Sequence, residues 1–223
     1  MRPNPVRTRR LVIGLSAIAL ACLLGAWIFW QDNAPFAVDT AWNSALVDWP
    51  SPALVVFSQV MNVLGGGWIG ALIIPLGGAI ALMLMRRHWA AAYFLSAEAV
   101  SAALVQILKQ VFGRARPEEI LVMSDYGSFP SGHAANAATL AVIAAILFPR
   151  AWVVVAGIVW TLLMAFSRTY LHAHWLSDTT GGALVGAGAA LAMAAVFTVP
   201  LAREAAAFSA PPRAPAELQG PGA

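Results

Sequence analysis

Three short stretches hold most of the residues able to do chemistry: KQVFGRARPEE (109–119), FPSGH (129–133) and SRTYLHAHWLSD (167–178). Lys109, Arg116 and Arg168 supply one mobile point charge and two planar forks, a set suited to an anion with several oxygens such as phosphate. Each cation taken alone is equally at home snorkelling from a helix end. Ser131-Gly132-His133 opens an apolar run. The start of a helix there offers free N–H groups and a positive dipole end, and Gly132 lets the backbone approach an anion closely. A plain Pro-Ser helix cap explains the same residues without any ligand. His174 and Asp178 are four residues apart, so on a helix they share one face. A carboxylate on one ring nitrogen fixes the tautomer and leaves the other nitrogen free to attack.

The elements that position these stretches are membrane helices. Of the 223 residues 60% are hydrophobic and 10% charged, with a mean hydropathy of +0.74, which leaves too little polar surface for a water-facing globule. Nearly charge-free runs cover 11–31, 49–85, 89–108, 132–149, 151–167 and 179–202. Each approaches or exceeds the ~20 residues that cross a hydrocarbon core as helix. The runs lack the alternation of a membrane barrel, so their backbones must be satisfied as helices. Gly65-Gly66-Gly67 divides the second run, and Pro50 and Pro52 shorten its first piece. The expected fold is all-α: a polytopic bundle of six transmembrane helices plus a short interfacial or re-entrant helix near 50–64. Residues 1–204 form the membrane domain, and 205–223, rich in Ala, Pro and Gly, form a disordered cytoplasmic tail. The N-terminal apolar run continues past Cys22 and reads as an uncleaved first span. Cys22 is the only cysteine, so no internal disulfide forms.

Six spans with the N-terminus inside put Arg2, Arg7, Arg9, Arg10, Arg86, Arg87, Arg150, Arg203 and Arg213 in the cytoplasm, as the positive-inside bias requires. Lys109, Arg114, Arg116 and Arg168 remain on the other side. The basic pI of about 9.6 therefore reflects topology and not nucleic-acid binding. The expected location is a multi-pass protein of the inner (plasma) membrane with its site toward the periplasm or cell exterior. If both pieces of 49–85 crossed, seven spans would reverse that side.

The loops after the third and fifth spans emerge on one face, which gathers the three polar stretches. Lys109 with six residues before Arg116-Pro117, then Pro130-Ser131-Gly132-His133, then Ser167-Arg168 with five residues before His174 and three before Asp178, resembles the three-part signature of the type 2 phosphatidic acid phosphatase family. The resemblance covers about 109–178 by motif. It implies a six-helix membrane phosphatase related to the vanadium haloperoxidases, with no metal or other cofactor. By the same resemblance, Lys109, Arg116 and Arg168 hold the phosphoryl oxygens with help from Ser131 and Gly132. His174 is then the nucleophile, Asp178 orients it, and His133 protonates the leaving oxygen.

The implied substrate is a membrane lipid phosphate or pyrophosphate: undecaprenyl pyrophosphate first, phosphatidic acid or phosphatidylglycerophosphate next. Two rivals use the same cradle, a phosphotransferase and a non-catalytic lipid binder or transporter. A zinc site built from His133, His172, His174 and Asp178 is disfavoured by the surrounding cations. Glu98, about three turns below Lys109, reads as a structural carboxyl too deep for the phosphate. His172 reads as a loop histidine, and Arg114 as a weak contributor to the field. The small residues of 181–195 permit close helix packing.

Overall fold

The computed structural model describes residues 4–209, and no strand occurs among them. The helices are α1 (Pro5–Trp30), α2 (Ala37–Val47), α3 (Pro52–Gly65), α4 (Ile74–Leu84), α5 (His88–Phe112), α6 (Gly132–Leu147), α7 (Ala151–Tyr170), α8 (Leu176–Val196) and α9 (Thr198–Ser209), with a π-helical segment, Ile69–Ile73, leading into α4. Local chemistry marks several boundaries. Asn4 caps α1 by accepting from the Val6 and Arg7 N–H groups, with Pro5 in the first turn. Ser51 caps α3 ahead of Pro52. Gly113, at φ 54°, ends α5 in the left-handed conformation that glycine adopts without strain.

Among the described residues, four helices are long and apolar enough to cross a membrane: α1, α5, α7 and α8. α3 and the stretch Ile69–Leu84 make a fifth if counted as one span, bent by 41°. α6 has 16 residues, about 24 Å at ~1.5 Å per residue, short of the ~30 Å hydrocarbon core. Six crossings follow if the short α6 counts as one and the second run crosses once, either as the bent pair or with α3 re-entrant and Ile69–Leu84 as the span. The expected break at the triple glycine is present, but the helix before it continues toward the next with only a bend between them. α2, unforeseen in the sequence, is a further short helix at the end of the bundle that carries the polar loops. α9 runs through Ser209, five residues into the expected tail; 210–223 lie outside the described residues.

Small residues set how closely these helices approach. A Cβ on Gly182 or Gly186 of α8 would collide with the carbonyls of Ser131 and Ala135 on α6, and one on Gly188 with the Gly14 carbonyl of α1. Lipid supplies no hydrophobic drive between helices, so such backbone proximity is what dispersion forces need. It also fixes the starts of α6 and α8 side by side, where the Ser131 N–H donates to the Asp178 carbonyl at 3.0 Å. Tyr93, Phe94 and Ala97 of α5 fill the space toward Ile143, Leu147 and Ala190. At the opposite end, the Glu204 carboxylate accepts from the Trp89 and Ala90 N–H groups at 2.7 and 3.0 Å, and the Arg87 guanidinium lies 5.5 Å from the Phe148 ring centre. Arg86, Arg87 and Arg150 therefore cluster at the end away from the polar loops.

Candidate active site

Helix ends deliver the site. The last turn of α5 carries Lys109, the last turn of α7 carries Arg168, and the first residues of α6 and α8 carry Gly132, His133 and Asp178. The loop after Gly113 brings Arg116 back over the top. Lys109, Arg168 and His174 are almost wholly buried, at 3%, 2% and 3% exposure, so their charges and lone pairs act with little screening by water. Lys109, Arg116, Gly132, His133, Arg168 and His174 all line one cavity of about 850 Å³.

His174 sits two residues before the start of α8, so its pair with Asp178 spans the helix start instead of lying along a helix face. Its Nε2 is 3.2 Å from Arg116 Nη1, and a guanidinium can only donate. That bond places the lone pair on Nε2 and the proton on Nδ1, which faces Asp178 Oδ2 at 3.7 Å. The 3.7 Å separation is too long for a hydrogen bond, and Nδ1 has no other partner among the described residues. Such contacts commonly tighten once substrate is bound. Burial, followed by the charges of Arg116, Arg168 and Lys109, holds the His174 pKa well below the usual histidine value, so the ring is neutral at neutral pH. A neutral imidazole with its lone pair facing a cation cluster is a nucleophile directed at an anion.

The expected phosphate ligands are brought together unequally. Lys109 and Arg116 converge on Asp125, and Arg168 and Gly132 line the same cavity. Ser131 caps α6 weakly through Oγ, with the Ala134 nitrogen at 3.5 Å, while its N–H is committed to Asp178. Of the cradle pair, Gly132 is the one exposed to the cavity. His133 Nε2 donates to the Asn62 carbonyl at 3.0 Å. His172 bonds Asn43 at 2.7 Å, outside the cavity wall. Glu98 lines the same cavity lower down, and its Oε1 is buried with no hydrogen-bond partner among the described residues.

Residues outside the sequence reading complete the site. Asn62, the only amide that α3 brings to the cavity wall, accepts from Arg168 Nη1 through Oδ1 at 2.6 Å as well as receiving the His133 bond. Asp125 takes Lys109 Nζ at 2.8 and 3.0 Å and Arg116 Nη2 at 2.8 Å. Burial works to raise the Asp125 pKa, but the bond and charge of Lys109 and the charge of Arg116 bring it below the usual carboxylate value. Its side chain is 57% exposed. An ionised, half-exposed carboxylate of the chain thus occupies the cations that face the nucleophile. Arg114 does not face the cavity; it is buried against Asp178 and Asp39. Asn62 shares its helix with Ser58 and Gln59, so its polarity alone does not single it out, and nothing local marks Asp39 or Asp125.

Buried cations around a neutral histidine, at the end of a membrane-helix bundle and above an apolar cavity, define a membrane enzyme for phosphoric esters. Residues 90–200 match the model of the PAP2 superfamily. Decaprenylphosphoryl-5-phosphoribose phosphatase of Mycobacterium tuberculosis is 35% identical over 156 residues, covering 68% of this chain and 84% of that protein. Phosphatidylglycerophosphatase B of Bacillus subtilis is 29% identical over 166 residues, covering 69% and 80%. A solved structure of a transmembrane PAP2 type phosphatidylglycerolphosphate phosphatase from Bacillus subtilis superposes with a TM-score of 0.70 at 26% identity, covering 84% of this chain and 96% of that one. The chain belongs to the PAP2 superfamily, as a multi-pass membrane lipid phosphatase.

The position of Asp125 generates a test of the cation pair. Asp125→Asn removes the carboxylate that competes for Lys109 and Arg116, so the Ki of inorganic phosphate as a product inhibitor should fall severalfold. A rise in Ki would show that Asp125 instead holds the two cations in place for phosphate.

Proposed function

We propose that the protein removes a terminal phosphate from a lipid at the outer face of the inner (plasma) membrane, through a phosphohistidine on His174. The observation that carries this reading is the meeting of His174 Nε2, Arg116, Lys109 and Arg168 at the head of a cavity whose lower wall is apolar, built from Leu72, Leu76, Leu95, Ala99 and Ala102. A phosphate headgroup fits the cations while the lipid chain occupies the slot between α4 and α5. An isoprenoid phosphate or pyrophosphate of the undecaprenyl type ranks first, since one relative acts on a decaprenyl-linked phosphate. Phosphatidic acid and phosphatidylglycerophosphate rank next.

In the reaction, Nε2 of His174 forms a bond to phosphorus as the bond from phosphorus to the lipid oxygen breaks. Lys109, Arg116, Arg168 and the Gly132 N–H neutralise the equatorial oxygens, which is most of what phosphoryl transfer asks of a protein. Asp178 takes up the Nδ1 proton contact as His174 becomes cationic. The acid form of His133 is the imidazolium, whose charge is matched only when the anionic headgroup lies beside it; it gives its proton to the departing lipid oxygen. Water then attacks the phosphohistidine and returns a proton to His133, yielding inorganic phosphate and the lipid alcohol or monophosphate. Before substrate binds, the His133 ring bonds the Asn62 carbonyl, and that bond is exchanged for the leaving oxygen.

The orientation follows from charge: Arg86, Arg87 and Arg150 cluster at the end opposite the site, which supports a cytoplasmic assignment for that end. Ser124→Cys in a Cys22→Ser background should react with an impermeant thiol reagent in intact cells; labelling only after permeabilisation reverses the orientation.

The leaving group tests the two histidines together. An alkoxide departs as the base of an acid with pKa ~15.7, comparable to water, whereas phosphate departing from a pyrophosphate has a relevant pKa of about 6. In rapid-quench measurements, His174→Ala should abolish turnover of lipid monophosphate and pyrophosphate alike. His133→Ala should slow the first turnover of the monophosphate far more. Equal first-turnover losses remove His133 from the acid role, and an active His174→Ala removes the phosphohistidine.

A further inference from the structure

Behind the nucleophile lies a second polar cluster that faces no substrate. Arg114, Asp39 and Asp178 are among the most buried side chains of the protein, with exposures of 1%, 0% and 0%. Arg114 Nη1 donates to Asp178 Oδ1 at 2.6 Å and to Ser177 Oγ at 2.8 Å, while Nη2 donates to Asp39 Oδ2 at 2.9 Å. Asp39 in turn accepts from the Ser177 N–H and hydroxyl at 2.8 and 2.6 Å. The Arg114 guanidinium carbon lies 5.7 Å from the Trp175 ring centre, and the Trp175 N–H donates to Asp178 Oδ2 at 2.9 Å. Both oxygens of Asp178 are thereby fixed, with Oδ2 on the side of His174 Nδ1.

We infer that Arg114, anchored by Asp39 of α2, is a positioning residue for the reaction, holding the Asp178 carboxylate ionised and aimed at His174. The physical need is specific. A carboxylate with no exposed surface is costly to keep charged without a cation in contact. The cation must also leave one carboxylate oxygen free for the histidine, and a planar fork gripping Oδ1 alone does this. Asp39 offsets the second half of the guanidinium charge, so that the buried cluster holds two carboxylates and one cation beside a ring that becomes cationic during the reaction. Formation of the His174 imidazolium brings the cluster to neutrality. Lysine at 114 has no fork to bridge both carboxylates at once.

The inference rests on the phosphohistidine reading, and a double-mutant cycle separates the two. Wild type, Arg114→Gln, Asp178→Asn and the double variant are purified in detergent and compared for kcat and KM on a lipid phosphate, with melting temperatures measured in parallel. Arg114→Gln should lose kcat by on the order of tenfold to a hundredfold, the scale seen for outer partners that orient a reacting or ligating group. Its KM should change less than about twofold. In the Asp178→Asn background the same substitution should cause no further loss, because residues acting through one partner are not additive. An equal further loss in that background, or full activity of Arg114→Gln alone, overturns the inference. If Arg114→Gln fails to accumulate, Asp39→Asn/Arg114→Gln, which removes the cation together with one carboxylate, is carried through the same cycle with the same criteria. Turnover in His174→Ala would instead refute the phosphohistidine reading.

Discussion

Like charges buried together govern this structure. Lys109, Arg116 and Arg168 converge from three separate segments onto one cavity, and burial of cations without anions is unfavourable by several kcal/mol for each ion. The chain offsets this only in part. Asp125 serves Lys109 and Arg116 from a half-exposed position, and Arg168 is given the Asn62 amide but no carboxylate among the described residues. Its Nε has no partner among the described residues. A polyanionic ligand completes that balance, while burial first, and then the charges of these same cations, hold His174 neutral. Binding and nucleophile activation thus draw on the same cations, with burial as the larger cause of the second.

The bundle is arranged to keep that cluster in register. Glycines on α8 bring its start against α6, so the glycine-opened turn and the His174–Asp178 pair are fixed by backbone contact. The interruption between α3 and α4 serves two ends. It places Asn62 beside Arg168 and His133, and it brings apolar residues such as Leu72 and Leu76 into the wall of the same cavity. Asn136 of α6 steadies the break by donating to the Gly70 carbonyl at 2.9 Å. α2 closes the far side of the nucleophile with Asp39.

Much of this was legible in sequence because the informative signals were of two strong kinds. Long charge-free runs announce membrane helices, and cations placed against the positive-inside bias announce a use other than topology. Lys109, Arg116, Arg168, Gly132, His133 and His174 accordingly line one cavity. Long-range polar partners carried no such signal. Asp39 and Arg114 are 75 residues apart, and Asn62 and Arg168 are 106 apart, so their pairing depends on how helices pack and not on spacing. The position of Arg114 behind Asp178 instead of in the cavity was hidden for the same reason, and the helix at 37–47 was not foreseen. Glu98 was read as too deep for the phosphate, and it does lie low in the wall; that the wall belongs to the same cavity follows only from the packing of α4 and α5.

The account turns on one phosphorus atom lying between His174 Nε2 and the three cations. Vanadate adopts the trigonal bipyramidal geometry of phosphoryl transfer, so a structure of the vanadate complex in lipid nanodiscs tests this most directly. The account predicts vanadium bonded to His174 Nε2, equatorial oxygens on Lys109, Arg116 and Arg168, and Asp125 displaced from Lys109 and Arg116. Vanadium bound away from His174, or held with Asp125 still on Lys109 and Arg116, would contradict it.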